Sequence, residues 1–244
     1  MWDEDQLTSY PRPSVAVDVA VLTALPAAPA GAGVGTLAVL VTNGSATPGP
    51  ALPGRFLRER QTVSECVSDV LRIKAGLTDV SAEPRLLSIF DDPSRDPRGW
   101  TLSLAHALVL PHRRLREATG EIVAISTQGR LAPGQSLLFD HEAIVSEAAA
   151  MVRESYERLP DPEGLLEHPF TLAQLRTVHQ AVLGAQLRKD TFRRRMEANL
   201  RPLSGPDGAA VLRSDGGRPA QVYVRRSDLM PSPAAQRRLQ LPRG

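Results

Sequence analysis

Runs of apolar residues in the first half of the chain predict the strands of one sheet. Val15 to Thr23 and Leu37 to Thr42 contain many β-branched residues and few polar ones, which is typical of strands buried on both faces. Further apolar runs predict strands at Arg85 to Phe90, Trp100 to Leu110 and Ile122 to Ser126. Segments rich in Gly, Pro, Asp and Ser separate these runs and predict turns or loops.

A period of about 3.6 residues replaces this pattern in the second half and predicts helices. Asp140 is the expected N-cap of a helix that runs to about Tyr156. Thr171 is the expected N-cap of the next helix, which Gly184 ends, and a further helix begins at Lys189. The last two helices lie close together along the chain, as in a helix-turn-helix.

A hairpin is predicted directly after these helices. Ala209 to Arg213 and Pro219 to Arg225 are strand candidates, and the Asp-Gly-Gly between them favours a tight turn. Helix, helix and hairpin in this order predict a winged helix-turn-helix, with the helix at Asp140 as its first helix. Leu159 to His168, which has two prolines and a glycine, is the expected linker before it.

The stretch from Leu52 to Leu77 combines a turn with an amphipathic helix that Gly76 ends. One apolar face recurs at helical spacing and consists of Val63, Cys66, Val67, Val70 and Leu71. The layout resembles the Nudix box, the loop-helix-loop with which Nudix hydrolases hold Mg²⁺ against a diphosphate. Aligned on Gly76, the chain keeps the aliphatic Leu71 and Leu77, but Arg55 replaces the first glycine of the box.

The acidic residues of the box are missing from this chain. Gln61 replaces its first glutamate, Asp69 and Val70 replace its Arg-Glu pair, and Ile73 and Lys74 replace its Glu-Glu pair. Mg²⁺ requires oxygen ligands, and an ammonium group repels it. We therefore expect a Nudix-like scaffold with no catalytic residue and no metal site.

Composition indicates a soluble globular protein and a cytoplasmic, nucleoid-associated location. The 244 residues are 42% hydrophobic and 23% charged. The first residues have no signal-peptide pattern, and no apolar run approaches the roughly 20 residues of a membrane helix. Cys66 is the only cysteine, so we expect a buried thiol and neither a disulfide nor a zinc cluster.

The charge is distributed unevenly and favours DNA as a partner. Residues 1–167 carry 15 Lys and Arg against 22 Asp and Glu, whereas residues 168–244 carry 14 Lys and Arg against 5 Asp and Glu. A basic segment of this kind is typical of proteins that bind polyanions. The first turns of a recognition helix enter the major groove, and Arg on a wing can reach phosphate. The predicted DNA contacts are Lys189, Thr191, Arg193, Arg194 and Arg195 on the helix, and Arg218, Arg225 and Arg226 near the wing. The alternative is a basic helix face that is merely solvated.

Cations also surround the Nudix-like turn. Arg55, Arg58 and Arg60 lie there, and Lys74 occupies the position of a metal-binding carboxylate. Arginine can bind phosphate without a metal ion, and Lys74 can partly replace Mg²⁺ beside a diphosphate. The alternative is that these side chains, Arg58 and Arg60 above all, are simply exposed.

Two further passages resemble the NrtR family, the Nudix-related transcriptional regulators of NAD metabolism. Ser94 to Leu110 is similar to that family's Arg-Asp-Pro-Arg-Gly segment and following strand, with His106 where Tyr is usual. Phe170 to Met196 and Gly217 to Val224 resemble its DNA-binding half. The resemblance implies a homodimeric repressor that binds a palindromic operator near NAD-biosynthesis or salvage genes and is released by ADP-ribose or a related NAD metabolite.

This resemblance also implies the fold and the binding residues. The expected chain is α/β (α+β): a flexible N-terminus (1–14), a ligand-sensing α/β/α sandwich (15–158), a linker (159–168), a winged helix-turn-helix domain (169–226) and a disordered tail (227–244). The nucleotide is expected to contact, besides Lys74, the motif residues Arg55, Phe56, Arg95, Asp96, Arg98 and Trp100. No cofactor is required in this interpretation.

Two other functions remain open from the residues alone. One is a residual Nudix hydrolase, for example an ADP-ribose pyrophosphatase. The other is a DNA-binding protein in which the Nudix-like domain only dimerises.

Overall fold

A computed structural model describes residues 10–27, 34–44, 47–80, 82–214 and 218–226. These residues form a seven-stranded sheet with helices on both faces, followed by a smaller four-stranded sheet with two helices. The predicted tail at 227–244, most of the predicted flexible N-terminus and the tip of the predicted hairpin lie outside the described ranges.

The large sheet is organised around its first strand. Its strands are β1 (Ser14–Leu25), β2 (Thr36–Asn43), β3 (Pro50–Ala51), β4 (Gly54–Phe56), β5 (Arg85–Phe90), β6 (Thr101–Val109) and β7 (Glu121–Ala124). β1 pairs in parallel with β6 and antiparallel with β2 and β4. β5 pairs with β6, and β3 and β7 pair with β2. The five longer strands confirm the sequence prediction to within two residues, whereas β3 and β4 are too short to produce a hydrophobic pattern.

Helices cover both faces of this sheet. Alternate residues of β1 point to opposite faces, so Val17 and Val19 pack against helix α1 (Val63–Asp69) while Ala20 and Leu22 pack against helix α2 (His141–Arg158). The result is the predicted α/β/α sandwich.

Helix α1 begins with a capping box and, as predicted, ends at Gly76. The Thr62 hydroxyl accepts a hydrogen bond from the Glu65 backbone at 3.2 Å, and the Glu65 carboxylate accepts one from the Thr62 backbone at 2.8 Å. This capping box satisfies two backbone donors that the helix leaves unpaired. A π-helical turn, Val70–Lys74, continues the helix, and Gly76 ends it with φ 67°.

Asp140 occupies the N-cap position of α2, but its predicted capping hydrogen bond is absent. Its backbone has φ −95° and ψ 19°, and its side chain makes no capping bond. The carboxylate instead accepts two hydrogen bonds from Arg95, at 2.6 and 2.8 Å. Pairing with a buried guanidinium has therefore replaced the cap.

The second sheet and its two helices form a winged helix. The helices are α3 (Leu172–Leu183) and α4 (Lys189–Met196), and the strands are β8 (Phe170–Thr171), β9 (Leu200–Pro202), β10 (Leu212–Arg213) and β11 (Ala220–Arg225). Thr171 makes the predicted cap of α3, and Gly184 ends it with φ 64°. β11 pairs with all three other strands, of which β8 and β9 escaped prediction because they are so short.

Helix α3 belongs to two hydrophobic cores. Leu175, near its beginning, packs with Phe170, Phe192 and other residues of the winged helix. Val182, near its end, is fully buried against the large sheet and α2. Because α2 packs mainly in the large core, the expectation that it is the first helix of the winged helix was wrong. The predicted domain boundary at 159–168 stays a prediction.

Within the described ranges, no helix is long and apolar enough to cross a membrane.

Candidate functional site

A cavity of about 410 Å³ opens where β1, β2 and β4 meet the end of the Nudix-like helix. Its walls come from β1, the residues after β2, the segment from Ala51 to Arg58, Lys74, the loop at 95–98 and the beginning of α2. Six of the seven predicted nucleotide-binding residues line it: Arg55, Phe56, Lys74, Arg95, Asp96 and Arg98. The chain therefore brings together residues that are up to 43 positions apart in the sequence.

The seventh residue, Trp100, lies outside the cavity. Its side chain is 48% exposed, and its carbonyl accepts a hydrogen bond of 3.0 Å from the Ser14 backbone. This bond fixes the backbone of Trp100 at the beginning of β6. The contact of Trp100 with the nucleotide stays a prediction.

A buried carboxylate forms the floor of the cavity. Oδ2 of Asp18 accepts a hydrogen bond of 2.6 Å from the Ser103 hydroxyl and lies 3.5 Å from the Arg95 guanidinium. Nε2 of His141 lies 3.6 Å from Oδ1 of Asp18, while Nδ1 accepts a hydrogen bond of 2.9 Å from the Leu52 backbone. Burial alone would raise the pKa of Asp18, but these partners hold it below its usual value. Asp18 is thus an anion that internal partners already satisfy.

Asp18 also explains why Gly54 lies opposite it on β4. A Cβ atom at Gly54 would lie 2.0 Å from Oδ1 of Asp18, so no other residue fits there without displacing the carboxylate.

Arg95 holds the floor of the cavity together. Its side chain is only 3% exposed, and its guanidinium makes two hydrogen bonds to Asp140 besides its contact with Asp18. Two carboxylates thus surround this cation. Arg95 therefore joins the first strand to the beginning of α2 and offers less of its charge to a ligand than the sequence suggested.

Arg98 lies between two phenylalanine rings at the mouth of the cavity. The centre of its guanidinium is 5.4 Å from the ring of Phe56 and 4.9 Å from that of Phe139, within the range of cation–π attraction. Asp96 accepts two hydrogen bonds from the same guanidinium, at 2.9 and 2.7 Å, and these bonds lower the pKa of Asp96. The side chain is therefore fixed before any ligand arrives.

Phe139 reaches Arg98 from a strained backbone. Its φ of 58° lies in the left-handed region, which costs a non-glycine residue on the order of 1–3 kcal/mol. Such strain is typical of functional positions. Here the strained backbone conformation places an aromatic ring on the cavity wall.

Two further cations, one from the end of the Nudix-like helix and one from β4, lie on the remaining wall. Lys74, at its end, and Arg55, on β4, both line the cavity. Nη1 of Arg55 is buried without a hydrogen-bond partner, and its nearest carboxylate oxygen, on Asp69, is 3.8 Å away. Asp69 itself accepts hydrogen bonds from Arg72 at 2.7 Å and from Gln61 at 3.0 Å. Its charge is already shared among these partners.

The residues around the cavity do not fit the Mg²⁺ that a Nudix box implies. Val70 is fully buried in the core, Ile73 carries no ligand atom, and Lys74 is a cation. Throughout the described ranges, no group of three or more His, Cys, Asp or Glu residues is arranged to hold a metal ion.

Several cavity residues could not be identified from the sequence pattern. Asp18 is a single acid inside the apolar run VAVDVAV, and this interruption is the signal that could have revealed it. Ser103 lies on the neighbouring strand β6, where its register partner is Ala16. Phe139 and His141 flank the expected N-cap of α2, and nothing in the pattern distinguishes them.

The predicted DNA-contacting residues lie on the exposed side of α4. Lys189, Thr191, Arg193, Arg194 and Arg195 are all exposed, whereas Phe192 and Met196 are buried. Arg193 also forms an ion pair with Glu197 at 3.2 Å. The helix therefore presents a row of cations to solvent, and their contact with DNA remains a prediction.

Of the predicted wing residues, Arg218 and Arg226 are exposed but Arg225 is not. Arg225 is half-buried, and its guanidinium donates a hydrogen bond to the carbonyl of Asp161 in the linker. This bond connects the wing to the predicted linker, so the position of Arg225 favours a structural contact over direct contact with phosphate.

A buried polar network lies where the two cores meet. Both oxygens of the Asp161 carboxylate accept backbone hydrogen bonds, from Leu165 at 2.8 Å and Leu166 at 3.0 Å, and Oδ1 also accepts one from the Tyr156 hydroxyl at 2.6 Å. The His179 ring lies 4.9 Å from that of Tyr156 and 5.0 Å from that of Phe192. We call Tyr156, Asp161, His179, Phe192 and Arg225 the joint. These residues belong to α2, α3, α4 and β11 and to the predicted linker, which the joint therefore connects.

Both parts of the chain are similar to known proteins. Residues 163–224 match the NrtR DNA-binding winged helix domain. The chain is 27% identical over 229 residues to the ADPR responsive transcriptional repressor NtrR of Acinetobacter baylyi, covering 89% of this chain and 84% of the relative.

Solved structures show the same fold. A MutT/nudix family protein from Enterococcus faecalis superposes with a TM-score of 0.67 at 20% identity, over 89% of this chain and 88% of that one. NrtR of Shewanella oneidensis, complexed with a 27mer DNA, superposes with a TM-score of 0.63 at 22% identity, over 88% and 94%. These matches confirm the Nudix-like sandwich, the winged helix and the resemblance to the NrtR regulators that the sequence predicted.

Proposed function

Because residues 163–224 are a winged helix domain of the NrtR type, we propose that the protein is a DNA-binding transcriptional repressor that responds to ADP-ribose. In this proposal α4 and the wing bind an operator, and ADP-ribose or a related NAD-derived nucleotide binds the cavity and releases the DNA. The controlled genes are those of NAD biosynthesis or salvage, the operator is palindromic, and the repressor works as a homodimer in the cytoplasm, at the nucleoid.

The observation that carries this proposal is similarity along nearly the whole chain to an ADPR responsive repressor. The fold agrees with it, since a Nudix-like sandwich precedes a winged helix whose recognition helix exposes a row of cations. A negatively charged nucleotide also suits the cavity. Five Arg and Lys side chains line it against two carboxylates, Asp18 and Asp96, and both carboxylates already have internal partners.

A regulator is a better description than an enzyme. A relative that matches 89% of this chain is a repressor. In addition, Val70, Ile73, Lys74 and Gln61 occupy the positions where a Nudix box has glutamates. We therefore propose that the domain binds its nucleotide and does not cleave it.

The joint and α3 are the proposed route from the cavity to DNA. Arg95 links the cavity floor to the beginning of α2, and the other end of α2 carries Tyr156, which bonds to Asp161. Between these ends, Arg153 of α2 donates hydrogen bonds to the carbonyls of Val182 at 3.1 Å and Ser126 at 2.8 Å. Movement of α2 would therefore change the contacts that α2 makes with α3 and with the joint.

Such a route transmits a signal only if the nucleotide prefers one of two states. A ligand shifts an equilibrium by the difference between its affinities for the two states. A coupling free energy of about 1–3 kcal/mol would weaken DNA binding roughly 5- to 150-fold, which is enough to release an operator.

A mobility-shift assay with the DNA upstream of the protein's own gene tests the proposal. We expect a retarded complex that unrelated DNA of equal length does not compete away and that ADP-ribose dissolves. A complex that ADP-ribose leaves intact would contradict the proposed effector, and absence of any sequence-specific complex would contradict the proposed repressor.

A further inference from the structure

The cations of the cavity lie where a Nudix domain would place its metal ion. Lys74 occupies the position of a box glutamate and lines the cavity together with Arg55 and Arg58. Arg55 has a buried donor, Nη1, with no hydrogen-bond partner, although buried donors in proteins nearly always have one. An acceptor supplied by a ligand would satisfy it.

The carboxylates near the cavity are not available to a divalent ion. Asp18 is bonded to Ser103 and lies beside Arg95, and Asp96 is bonded to Arg98 at both of its oxygens. Asp69 is held by Arg72 and Gln61. A divalent cation would have to break one of these pairs and would still lie among fixed positive charges.

The same cations favour the binding of a diphosphate in the cavity. Each of its phosphates can accept several hydrogen bonds, and arginine donates such bonds in pairs. An ammonium group supplies a compact point charge that remains in place without a bound ion. The cavity thus offers within the protein the positive charge that Mg²⁺ supplies to a diphosphate in other sites.

We propose that this cavity binds the diphosphate of its nucleotide without any divalent metal ion, through Lys74, Arg55 and Arg58. The proposal rests on the proposed function, because it takes a nucleotide diphosphate as the effector. It goes further in stating that the effector signal is independent of Mg²⁺.

Calorimetric titration of the full-length protein with ADP-ribose, once in EDTA and once in excess MgCl₂, tests this directly. We expect the two dissociation constants to agree within about twofold. Binding that is about tenfold tighter in Mg²⁺, or that occurs only there, would overturn metal independence but not the effector. Absence of ADP-ribose binding in both buffers would overturn the effector.

Inorganic pyrophosphate as a second probe separates the anion site from the identity of the nucleotide. If pyrophosphate binds in EDTA while ADP-ribose does not, the cations recognise a diphosphate as proposed and the effector is a different nucleotide. If neither binds in EDTA, the cavity is not a metal-free diphosphate site.

Removing one cation inside the cavity and one outside it gives a matched pair of variants. Lys74→Gln and Arg130→Gln each remove one positive charge, the first in the cavity and the second at an exposed position of the sandwich. In EDTA we expect about tenfold weaker ADP-ribose binding for Lys74→Gln and no change for Arg130→Gln. Arg58→Gln, at an exposed position, provides a second variant that does not threaten folding. Equal affinity for all three variants and the unaltered protein would contradict the assignment.

Restoring acidic groups gives the reverse test. Ile73 is 48% exposed, so the double variant Ile73→Glu/Lys74→Glu should fold. We expect ADP-ribose binding in EDTA to fall more than tenfold and Mg²⁺ to restore part of it. Unchanged binding in EDTA would show that position 74 does not contact the diphosphate.

Discussion

The hydroxyl of Tyr156 donates a hydrogen bond of 2.6 Å to the carboxylate of Asp161. Tyr156 is fully buried near the end of α2, and Asp161 lies in the linker, where its backbone adopts φ 46°. The same aspartate accepts two backbone hydrogen bonds in the linker and bonds through its carbonyl to Arg225 of the wing. This contact therefore joins the sandwich to the DNA-binding domain.

Replacing Tyr156 with phenylalanine should weaken communication between nucleotide and DNA. The ring remains, and the Asp161 carboxylate keeps its two backbone donors, so the free energy of unfolding should fall by only about 1 kcal/mol. We expect ADP-ribose to release DNA at least several-fold less effectively, while each ligand alone binds as before. Fluorescence anisotropy of labelled operator, with and without ADP-ribose, measures this.

Arg158→Gln, at an exposed position of the same helix, is the control. If ADP-ribose released DNA equally well from both variants, the joint would be excluded from the signal.

Alanine at Arg194 or Arg193 should weaken specific DNA binding and relax its sequence preference. A bidentate contact to guanine contributes roughly 1–3 kcal/mol. Because Arg193 already pairs with Glu197, we expect the larger effect at Arg194. Anisotropy titrations on operator and scrambled DNA measure both quantities. Arg130→Ala, at an exposed position of the sandwich, should change neither.

Lys189→Ala should act differently from the arginines. A phosphate contact weakens binding to all sequences alike and lowers the slope of log affinity against log salt by about 1. Titrations over a range of salt concentrations measure this slope. If variants at Lys189, Arg193 and Arg194 all bind like the unaltered protein, α4 is not the recognition helix.

His179 should make the protein less stable in mild acid. Burial lowers its pKa from 6.5 to about 4, so the unfolded chain takes up a proton below pH 6.5 that the folded protein takes up only near pH 4. This contribution to stability is complete above pH 6.5 and is lost as the pH falls towards 4. At about pH 5 the loss of stability amounts to roughly 2 kcal/mol, at 1.36 kcal/mol per pKa unit.

Urea unfolding above pH 6.5 and at about pH 5 measures this loss. We expect His179→Gln to lose about 2 kcal/mol less than the unaltered protein between these two conditions. His168→Gln, at an exposed histidine, should behave like the unaltered protein. The same pH dependence in all three proteins would show that His179 titrates normally.

Incubation with ADP-ribose and Mg²⁺ should yield no AMP or ribose phosphate above the buffer blank. The box positions that would supply metal-binding carboxylates carry Val70, Ile73 and Lys74, so we expect these positions neither to hold the ion nor to activate water. Chromatography of the products, with an active ADP-ribose pyrophosphatase as positive control, measures this. Product formed at a rate proportional to protein concentration would establish a residual hydrolase instead.

The sequence predicted the framework because the framework depends on local patterns. Apolar runs located the long strands, and 3.6-residue patterns located the four α-helices of the described ranges. Thr171 and Gly184 marked the ends of α3 through ordinary capping. The replaced carboxylates of the box followed from the resemblance to the Nudix box, aligned on Gly76.

The floor of the cavity could not be predicted, because it depends on contacts between distant segments. The sequence shows Asp140 as a helix cap, and only the fold places it against Arg95, 45 positions earlier. The same holds for Asp18 and Ser103, which are 85 positions apart. Likewise, no local pattern reveals that α3 contributes to both cores.

Effector and operator should oppose each other equally, whichever of the two is titrated. Binding linkage requires ADP-ribose to weaken operator affinity by the same factor by which operator weakens ADP-ribose affinity. Anisotropy gives the first factor and calorimetry the second, on the full-length protein in one buffer. We predict two equal factors of roughly 5 to 150. Operator and ADP-ribose that both bind, with factors of one in both directions, would contradict the account of this protein as a nucleotide-released repressor.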